Sequence, residues 1–542
     1  MNNAIGGTGK GVEAREDRPA MMSRHASLVA TGILLSRIAG LIRDRVFAHY
    51  FGISEAADVF RAAFRIPNFL QNLFGEGVLS ASFIPVYAGL LARGDREKAD
   101  RVASAIFSLL ALLMACLVLI GVLITPVLIE VIAPGFTGEK RLWTITLVRI
   151  LFPGSALLAL SAWCLGILNS HRRFFLSYTA PVVWNIVIIA FLIGFGGRLM
   201  QFPLAKAATW GSVVGSALQV AVQLPLVLRL IGRFGLTLGR EMKEVQTVVR
   251  NFVPVFISRG VVQISAYVDT FLASFLPTGA LAALSNAQTL YTLPVSLFGM
   301  SVSAAELPAF SSALGEAQEV NDYLRNRLNR GLRQIAIFVI PSAMGFLALG
   351  DVIVAAIYQT GHFTRQDSVY VWGILAGSAV GLLAATLGRL YASMFYALKD
   401  TRTPLRFAVL RVLLTTGLGY VFALPLPRAL GIDPRWGAAG LTVSAGLSGW
   451  MEFALLRGSM NRRIGKTGLS SVFVIKLWVC AVAGAAAGWA GKWLMMSSHP
   501  ILLAIVSLGF FGIVYFAAAF LFRLDEVKGL IGRISRFIPH LR

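Results

Sequence analysis

The sequence predicts an all-α polytopic membrane protein with about 14 transmembrane helices, organised as two six-helix lobes related by duplication plus two C-terminal helices. Three observations lead to this fold class. The 542 residues are 56% hydrophobic and only 14% charged, whereas soluble domains carry roughly 25% charged residues. Apolar runs long enough to cross a bilayer recur along the chain. The two halves also contain similar segments in the same order.

The transmembrane spans follow from the lengths of the apolar runs. A helix needs about 20 apolar residues to cross a hydrocarbon core of about 30 Å. The runs that begin at Ile106 and Ile501 meet this requirement, as do the others between charged or Pro- and Gly-containing breaks. The predicted spans are 26–50, 56–91, 103–132, 142–169, 176–197, 206–231, 246–275, 280–313, 333–358, 369–397, 404–426, 436–456, 470–494 and 501–522.

The distribution of charge predicts the orientation of these spans. Basic residues alternate between connections, with roughly 30 on one side of the membrane and about 8 on the other, so both termini are expected in the cytoplasm. This orientation also explains the net charge of +23, and nucleic acid is not expected as a partner.

The three cysteines lie inside predicted spans without metal-ligand spacing, so neither a disulfide nor a metal site is predicted.

Similar stretches in the two halves indicate an internal duplication. "RDRVFAHYFG" from Arg43 matches "VDTFLASFLP" from Val268, and "GILNSHRRF" from Gly166 corresponds to "YALKDTRT" from Tyr396, a basic turn after the fourth span of each half. Because each half crosses the membrane an even number of times, the halves are expected in parallel orientation. The predicted domains are a disordered cytoplasmic tail (1–25), an N-lobe (26–235), a C-lobe (241–463), two further spans (470–522) and an amphipathic cytoplasmic helix (523–542).

Charged residues lie inside the first two predicted spans. In the first span Arg37 and Asp44 share a helix face, while Arg43 points elsewhere. Each charge at the centre of a span costs about 2.5 to 3.5 kcal/mol, so these groups must line water, one another or a ligand. The second span carries a polar stripe at helical spacing formed by Asp58, Arg61, Arg65, Asn68 and Asn72.

Two interpretations of these charges remain open. They could form interhelical ion pairs, or they could line a cavity that binds an anion. Arginine outnumbers Asp and Glu in the first two spans, which favours an anion, and the planar guanidinium suits phosphate oxygens. The corresponding depth of the second half is less charged. Its Gln288 and Thr289 could hydrogen-bond sugar or peptide groups, or could join neighbouring helices.

No catalytic or nucleotide-binding motif emerges from the sequence. "GGTGKG" at Gly6 fails as a phosphate-binding loop, because Ala4 and Gly11 stand where Gly and Ser or Thr are required. No Ser/His/Asp set, catalytic carboxylate pair or HExxH motif is found. We therefore expect a transporter without a cofactor, driven by the membrane potential or by a gradient of an ion that the sequence does not identify.

Three stretches resemble a known family. "LLSRIAGLIRDRVFAHYFG", "DVFRAAFRIPNFLQNLFGEGVLSASFIPVY" and "FYALKDTRTPLRFAV" are similar to signature stretches of the MurJ (MviN) lipid II flippases, within the multidrug/oligosaccharidyl-lipid/polysaccharide exporter superfamily. The resemblance covers residues 26 to about 522. It implies two six-helix lobes in a V shape and two C-terminal helices that form a groove for the lipid tail. The implied activity moves undecaprenyl-diphosphate-linked MurNAc-pentapeptide-GlcNAc to the outer leaflet of the bacterial cytoplasmic membrane for peptidoglycan synthesis.

The resemblance also implies roles for individual residues. The arginines and acids of the family's first two spans fall on Arg37, Arg43, Asp44 and Asp58, and Arg65 matches a usual Lys or Arg. The arginines are expected to bind the diphosphate, and the two acids to orient them and to gate the cavity. The implied partners are lipid II, membrane lipids and the cell-wall synthesis machinery.

The chain departs from the family at two cationic positions. Gln71 stands where the family commonly has Arg, and Ala287, Gln288 and Thr289 replace a common "ADR". Two of the three cationic positions expected near the diphosphate are therefore neutral. Arg37, Arg43 and Arg65 still keep the expected N-lobe cavity positive. The predicted substrate-binding residues are Arg37, Arg43, Asp44, Asp58, Arg65, Asn68, Gln71, Gln288 and Thr289.

Other functions were weighed against this one. The chain could move a different polyprenyl-linked saccharide, or act as a small-solute antiporter. A cation antiporter is expected to have an acidic cavity, which the sequence does not suggest. A membrane-embedded glycosyltransferase would need a catalytic acid on a sizeable external loop, and the predicted external loops are short.

Overall fold

The computed structural model describes residues 13–311, 317–495, 499–524 and 526. This part of the chain contains helices and turns but no β-strand, which confirms the all-α prediction. The helices are α1 (Glu13–Phe51), α2 (Glu55–Phe74), α3 (Glu76–Ser82), α4 (Ile84–Ala92), α5 (Arg96–Ile132), α6 (Gly138–Ser170), α7 (Phe174–Gly196), α8 (Gln201–Leu230), α9 (Lys243–Ser274), α10 (Ala280–Pro294), α11 (Ser301–Ser311), α12 (Ala317–Tyr358), α13 (Arg365–Ala397), α14 (Arg402–Ala423), α15 (Pro425–Ala429), α16 (Gly437–Ile464), α17 (Ser471–Leu494) and α18 (Pro500–Leu521).

Twelve helical segments in the described ranges are long and apolar enough to cross a membrane. The number of 14 is therefore not confirmed. The first and seventh predicted spans fall on α1 and α9, which carry charged residues along their length and are not among the twelve. α1 begins at Glu13, inside the segment predicted as a disordered tail. Almost all of the amphipathic helix predicted at 523–542 lies outside the described residues.

The chain divides into two compact units. Unit 1 comprises Met1–Phe47, Ala62–Val131 and Thr137–Tyr267. Unit 2 comprises Ala48–Arg61, Ile132–Phe136 and Val268–Arg542. The end of α1 and the first part of α2 thus belong to the unit that contains most of the second half of the chain. The lobe boundaries proposed from the sequence stay a prediction.

Unit 1 is packed around the indole of Trp163 on α6. Trp163 is fully buried, and its Nε1 donates to the carbonyl of Ala103 on α5 at 3.1 Å. The buried rings of Phe83 and Tyr87 stack with their centroids 5.3 Å apart in the same hydrophobic cluster. Since lipid tails are as apolar as these side chains, close packing and interhelical hydrogen bonds of this kind hold the bundle together.

Unit 2 contains a helix crossing that glycine alone permits. Gly381 on α13 faces Gly446 on α16, and a Cβ added to Gly381 would lie 2.4 Å from the Cα of Gly446. Because the obstacle is backbone, it cannot rotate away as a side chain would. Small residues at such crossings allow membrane helices to approach closely.

We expect Gly381→Ala to destabilise unit 2 by about 2 kcal/mol, because the added methyl group forces the two backbones apart. The measurement is the thermal unfolding midpoint of the purified protein in detergent. Gly388→Ala on the same helix is the matched control, since its Cβ would meet only Leu456 Cδ1 at 4.0 Å. The control should keep or raise the midpoint, as alanine favours helix more than glycine. Equal midpoints for the two variants would contradict the close crossing.

The two basic turns that the sequence pairs have the same backbone geometry. Arg172 after α6 has φ +59°, and Lys399 after α13 has φ +58°, the left-handed conformation that non-glycine residues seldom adopt. In each turn the next residue donates back into the helix, Arg173 N to Leu168 O at 2.8 Å and Asp400 N to Phe395 O at 2.9 Å. This is the Schellman pattern of helix termination. The same termination follows α18, where Arg523 has φ +53° and Leu524 N donates to Ala519 O at 3.2 Å, so it is a common way of ending helices in this chain rather than a mark of the duplication.

The second of these turns also begins the next helix. Asp400 accepts hydrogen bonds from the backbone N–H groups of Arg402 and Thr403 at 3.1 and 3.0 Å, and it pairs with Arg463. The hydrogen bond from the Thr403 backbone is the main reason why the pKa of Asp400 falls to about 2. These contacts explain "KDTRT" in the stretch that resembles the family: Lys399 ends one helix and Asp400 caps the next.

Candidate ligand-binding site

α1 brings a guanidinium and a carboxylate together in unit 1. Arg43 Nη2 and Nε lie 3.1 and 3.3 Å from Asp44 Oδ1. The guanidinium also lies 5.1 Å from the ring centroid of Trp184 on α7. The long Arg43 side chain therefore reaches back to its neighbour, although helix geometry alone directs the two residues apart. Asp44 is 4% exposed, so it orients Arg43 from a buried position.

Arg43 lines a cavity of about 410 Å³ inside unit 1. Its guanidinium is the only charged group among the lining residues. The predicted residues Asn68 and Gln71 contribute amides to the same wall. The full lining is Ser36, Gly40, Arg43, Asn68, Gln71, Asn72, Leu158, Pro181, Trp184, Asn185 and Gln219.

A second cavity of about 730 Å³ adjoins the first within unit 1. The two share Gln71, Asn72, Leu158, Pro181 and Gln219, and no residue with a formal charge lines the second. Its volume falls within the range typical of small-molecule sites. The other lining residues are Gly75, Gly77, Ser80, Ala81, Ser161, Ala162, Leu165, Ser177 and Gln223.

A chain of hydrogen bonds between α6 and α8 forms part of this second cavity. Gln219 Nε2 donates to Ser161 Oγ at 2.8 Å, and Ser161 Oγ donates to Gln223 Oε1 at 2.8 Å. All three residues are at least nine-tenths buried. Gln223 Nε2 has no partner among the residues that the structure describes. Ser161, Gln219 and Gln223 are not among the residues predicted from the sequence, although a Gln pair at i and i+4 in an apolar span indicates such a polar cluster.

Two of the predicted arginines lie outside both cavity linings. Arg37 is exposed on α1, and Arg65 is half-buried on α2. The backbone carbonyl of Arg65 accepts a hydrogen bond from the Tyr267 hydroxyl at 3.1 Å, which ties α2 to α9 within unit 1. Among the predicted arginines, only Arg43 lines a cavity, and it lines the smaller of the two.

Asp58 is placed at a helix terminus in unit 2. It is 2% exposed, and its two oxygens accept from Gly279 N at 2.7 Å and Ala282 N at 2.9 Å. These N–H groups lie at the N-terminus of α10. The N-cap residue of this helix, Gly279, has no side chain that could accept their hydrogen bonds. A carboxylate satisfies such exposed N–H groups and complements the positive end of the helix dipole. In this structure Asp58 therefore holds α2 and α10 together.

Gln288 and Thr289 lie on α10 in unit 2. Gln288 is exposed, whereas the Thr289 hydroxyl donates to the carbonyl of Ser285 one turn earlier at 3.1 Å. Their role in substrate binding stays a prediction.

In the part of the chain that the structure describes, no group of three His, Cys, Asp or Glu side chains could hold a metal ion.

The chain is thus a polytopic membrane protein with two adjoining cavities inside unit 1. A solved structure named "Lipid II flippase MurJ, inward closed conformation" superimposes with a TM-score of 0.76, covering 92% of this chain and 99% of that one at 24% identity. An inward-facing multidrug resistance MATE family transporter of the MOP superfamily matches with a TM-score of 0.63 over 79% of this chain and 95% of its own, at 16% identity. These likenesses show the fold.

Sequence comparison shows the family. The chain belongs to the lipid II flippase MurJ family, which it matches over residues 47–509. It is 30% identical over 445 residues to "Lipid II flippase MurJ" of Burkholderia cenocepacia, covering 81% of this chain and 84% of that protein. It is 31% identical to the probable lipid II flippase MurJ of Rhizobium tropici over 80% of each chain. The resemblance noted from the sequence motifs is therefore confirmed.

Proposed function

We propose that this protein moves lipid II from the inner to the outer leaflet of the bacterial cytoplasmic membrane. Membership of the flippase family and the transporter fold support this function. The observation that carries it in the structure is Arg43, a half-buried guanidinium facing a cavity whose other lining groups are neutral. A site of this kind suits the diphosphate of a polyprenyl-linked substrate.

In the proposed mechanism, Arg43 meets the diphosphate and Asp44 keeps the guanidinium in position. Asp44 binds one side of the Arg43 guanidinium, and the N–H groups on the other side are proposed to bind the diphosphate. Trp184 lies against the guanidinium and restricts its motion. A preorganised cation loses little side-chain entropy when the diphosphate binds. Alternating access would then carry this occupied site from one face of the membrane to the other.

The driving force is proposed to be the membrane potential or an ion gradient, with no resident cofactor. Moving one charge through 100 mV supplies about 2.3 kcal/mol, which is enough to bias transport in one direction. The alternating distribution of Lys and Arg supports an orientation with both termini in the cytoplasm. Components of the cell-wall synthesis machinery are proposed as further partners, since the translocated lipid is their substrate.

Complementation tests the function directly. A bacterium depleted of its own flippase is supplied with this chain, and labelled lipid II is assayed at the outer face of the membrane. We expect growth to be restored and lipid II to become accessible outside. An empty vector provides the baseline, and immunoblotting of membranes verifies that the protein is present. If the chain is present but lipid II stays inside, transport of another polyprenyl-linked saccharide becomes the better explanation.

A further inference from the structure

We propose that the neutral wall formed by Ser161, Gln219 and Gln223 is a subsite for the N-acetylated sugar attached to the diphosphate of the transported lipid. The inference rests on the proposed function and identifies which part of the substrate this wall contacts. Its basis is a buried chain of hydrogen bonds that ends in an unused donor beside the cavity that contains Arg43.

The hydrogen-bond chain is directional and incomplete. Gln219 donates to Ser161, and Ser161 donates to Gln223, which leaves the Gln223 amide nitrogen as the terminal group. Gln223 is 1% exposed, and Nε2 has no partner among the described residues. A buried amide donor without an acceptor is unfavourable, because it has lost its hydrogen bonds to water without gaining another. Gln223 lines the larger cavity, so a ligand there can provide the missing acceptor.

The smaller cavity contains a matching unused acceptor. Asn185 on α7 donates its Nδ2 to the carbonyl of Pro181 at 3.0 Å, while its Oδ1 is buried without a partner in the described part of the chain. Asn185 lines the cavity that Arg43 lines, together with Gln219. The two cavities thus offer an unpaired donor and an unpaired acceptor on facing helices of one unit.

The chemistry of these walls selects among ligand classes. A second phosphate would require another cation, and none lines the larger cavity. A lipid tail would leave the amides and hydroxyls of this wall unsatisfied, which is costly away from water. A cation would require a carboxylate, and none lines either cavity. Neutral donors and acceptors suit a sugar that carries hydroxyls and an acetamido group.

The connection between the cavities fits the covalent order of the lipid. The sugar of the proposed substrate is bonded directly to the diphosphate, so its site must adjoin the cation that binds the phosphates. Gln219 lines both cavities and therefore marks this junction. With the diphosphate at Arg43, the first sugar reaches the wall formed by Ser161, Gln219 and Gln223, and its acetamido oxygen accepts from Gln223.

The experiment compares two lipids that differ only in their headgroup. Binding of lipid II and of undecaprenyl diphosphate is measured on the full-length protein in nanodiscs, using wild type, Gln223→Leu and Gln219→Leu. We expect Gln223→Leu to raise the Kd for lipid II about tenfold, because the ligand loses a hydrogen bond in a buried site. Gln219→Leu should also raise this Kd, because it removes the donor that begins the hydrogen-bond chain through Ser161 to Gln223. Gln223 lines only the larger cavity, so Gln223→Leu should change the Kd for undecaprenyl diphosphate, which lacks the sugars and the peptide, less than twofold.

Gln201→Leu is the matched control, since it makes the same change on α8 at a residue that lines neither cavity. It should leave both Kd values unchanged. Ser161→Ala is a smaller change that keeps the site testable should a leucine variant fail to fold, and it should also weaken lipid II selectively. Equal weakening of both lipids by Gln223→Leu, or no change in either, would overturn the sugar subsite. Failure of the wild type to bind either lipid would instead count against the proposed function.

Discussion

Arg43→Glu is expected to abolish transport of lipid II while the protein remains in the membrane. The substitution replaces the one charged group of the cavity lining with an anion and places it next to the buried Asp44 carboxylate. The diphosphate loses its charge-assisted hydrogen bonds and meets a like charge instead. The loss of two such bonds alone lowers the transport rate at least about 100-fold.

The test is the external lipid II assay in flippase-depleted cells, with protein levels in the membrane measured in parallel. Arg198→Glu is the matched control, because Arg198 is exposed between α7 and α8 and lines neither cavity. That variant should support normal transport. Arg43→Lys should fall between the wild type and Arg43→Glu, since it keeps the charge but loses the planar pair of donors. Wild-type transport by Arg43→Glu would refute the role of this residue.

Asp58→Asn is expected to lower the stability of unit 2 by about 2 kcal/mol and to impair transport with it. Both carboxylate oxygens of Asp58 accept backbone N–H groups at the start of α10. Asparagine has the same size but only one acceptor oxygen, so one buried N–H group would be left facing an amide donor. The negative charge at the positive end of the helix would also be lost.

Thermal unfolding in detergent measures this effect, and Asp433→Asn is the matched control. Asp433 also caps a helical turn, accepting from Arg435 N at 2.9 Å, but it is exposed and uses one oxygen. Asparagine caps such a site about as well as aspartate, so the control should keep the wild-type midpoint. If Asp58→Asn unfolds at the wild-type temperature but fails to transport, Asp58 acts on the substrate or the gate rather than through α10.

The helices could be predicted from the sequence because hydropathy and span length are local properties. The basic turns were also predictable, since each combines a helix end with charged residues, and the structure gives Arg172 and Lys399 the same left-handed conformation. The contact that orients Arg43 was harder to predict. It depends on the Arg43 side chain bending toward Asp44. It also depends on Trp184, which is about 140 residues away in the sequence but lies beside Arg43 in the structure.

The polar stripe on α2 shows where prediction from one helix fails. Its helical spacing predicts a single surface, but the structure divides it after residue 61. Asp58 and Arg61 belong to unit 2, where Asp58 caps α10 and Arg61 donates to Asn286 at 3.1 Å. Asn68 and Asn72 belong to unit 1 and line the cavity that Arg43 lines. One partner of Asp58, the backbone N–H of Gly279, lies 221 residues further along the chain. No pattern within α2 contains that information.

The composition of unit 2 has a consequence for dissecting the protein into fragments. Residues Ala48–Arg61 come from the first helices of the chain but complete unit 2, and they include the carboxylate that opens α10. A truncated polypeptide starting at α9 would lack residues Ala48–Arg61 and leave the N–H groups of Gly279 and Ala282 without their carboxylate acceptor. In a split version with the break between α8 and α9, the first polypeptide carries this segment, so the second depends on the first for the carboxylate that caps α10. During synthesis on the ribosome, residues 48–61 are made before α10, so the carboxylate of Asp58 is already present when the helix that it caps emerges.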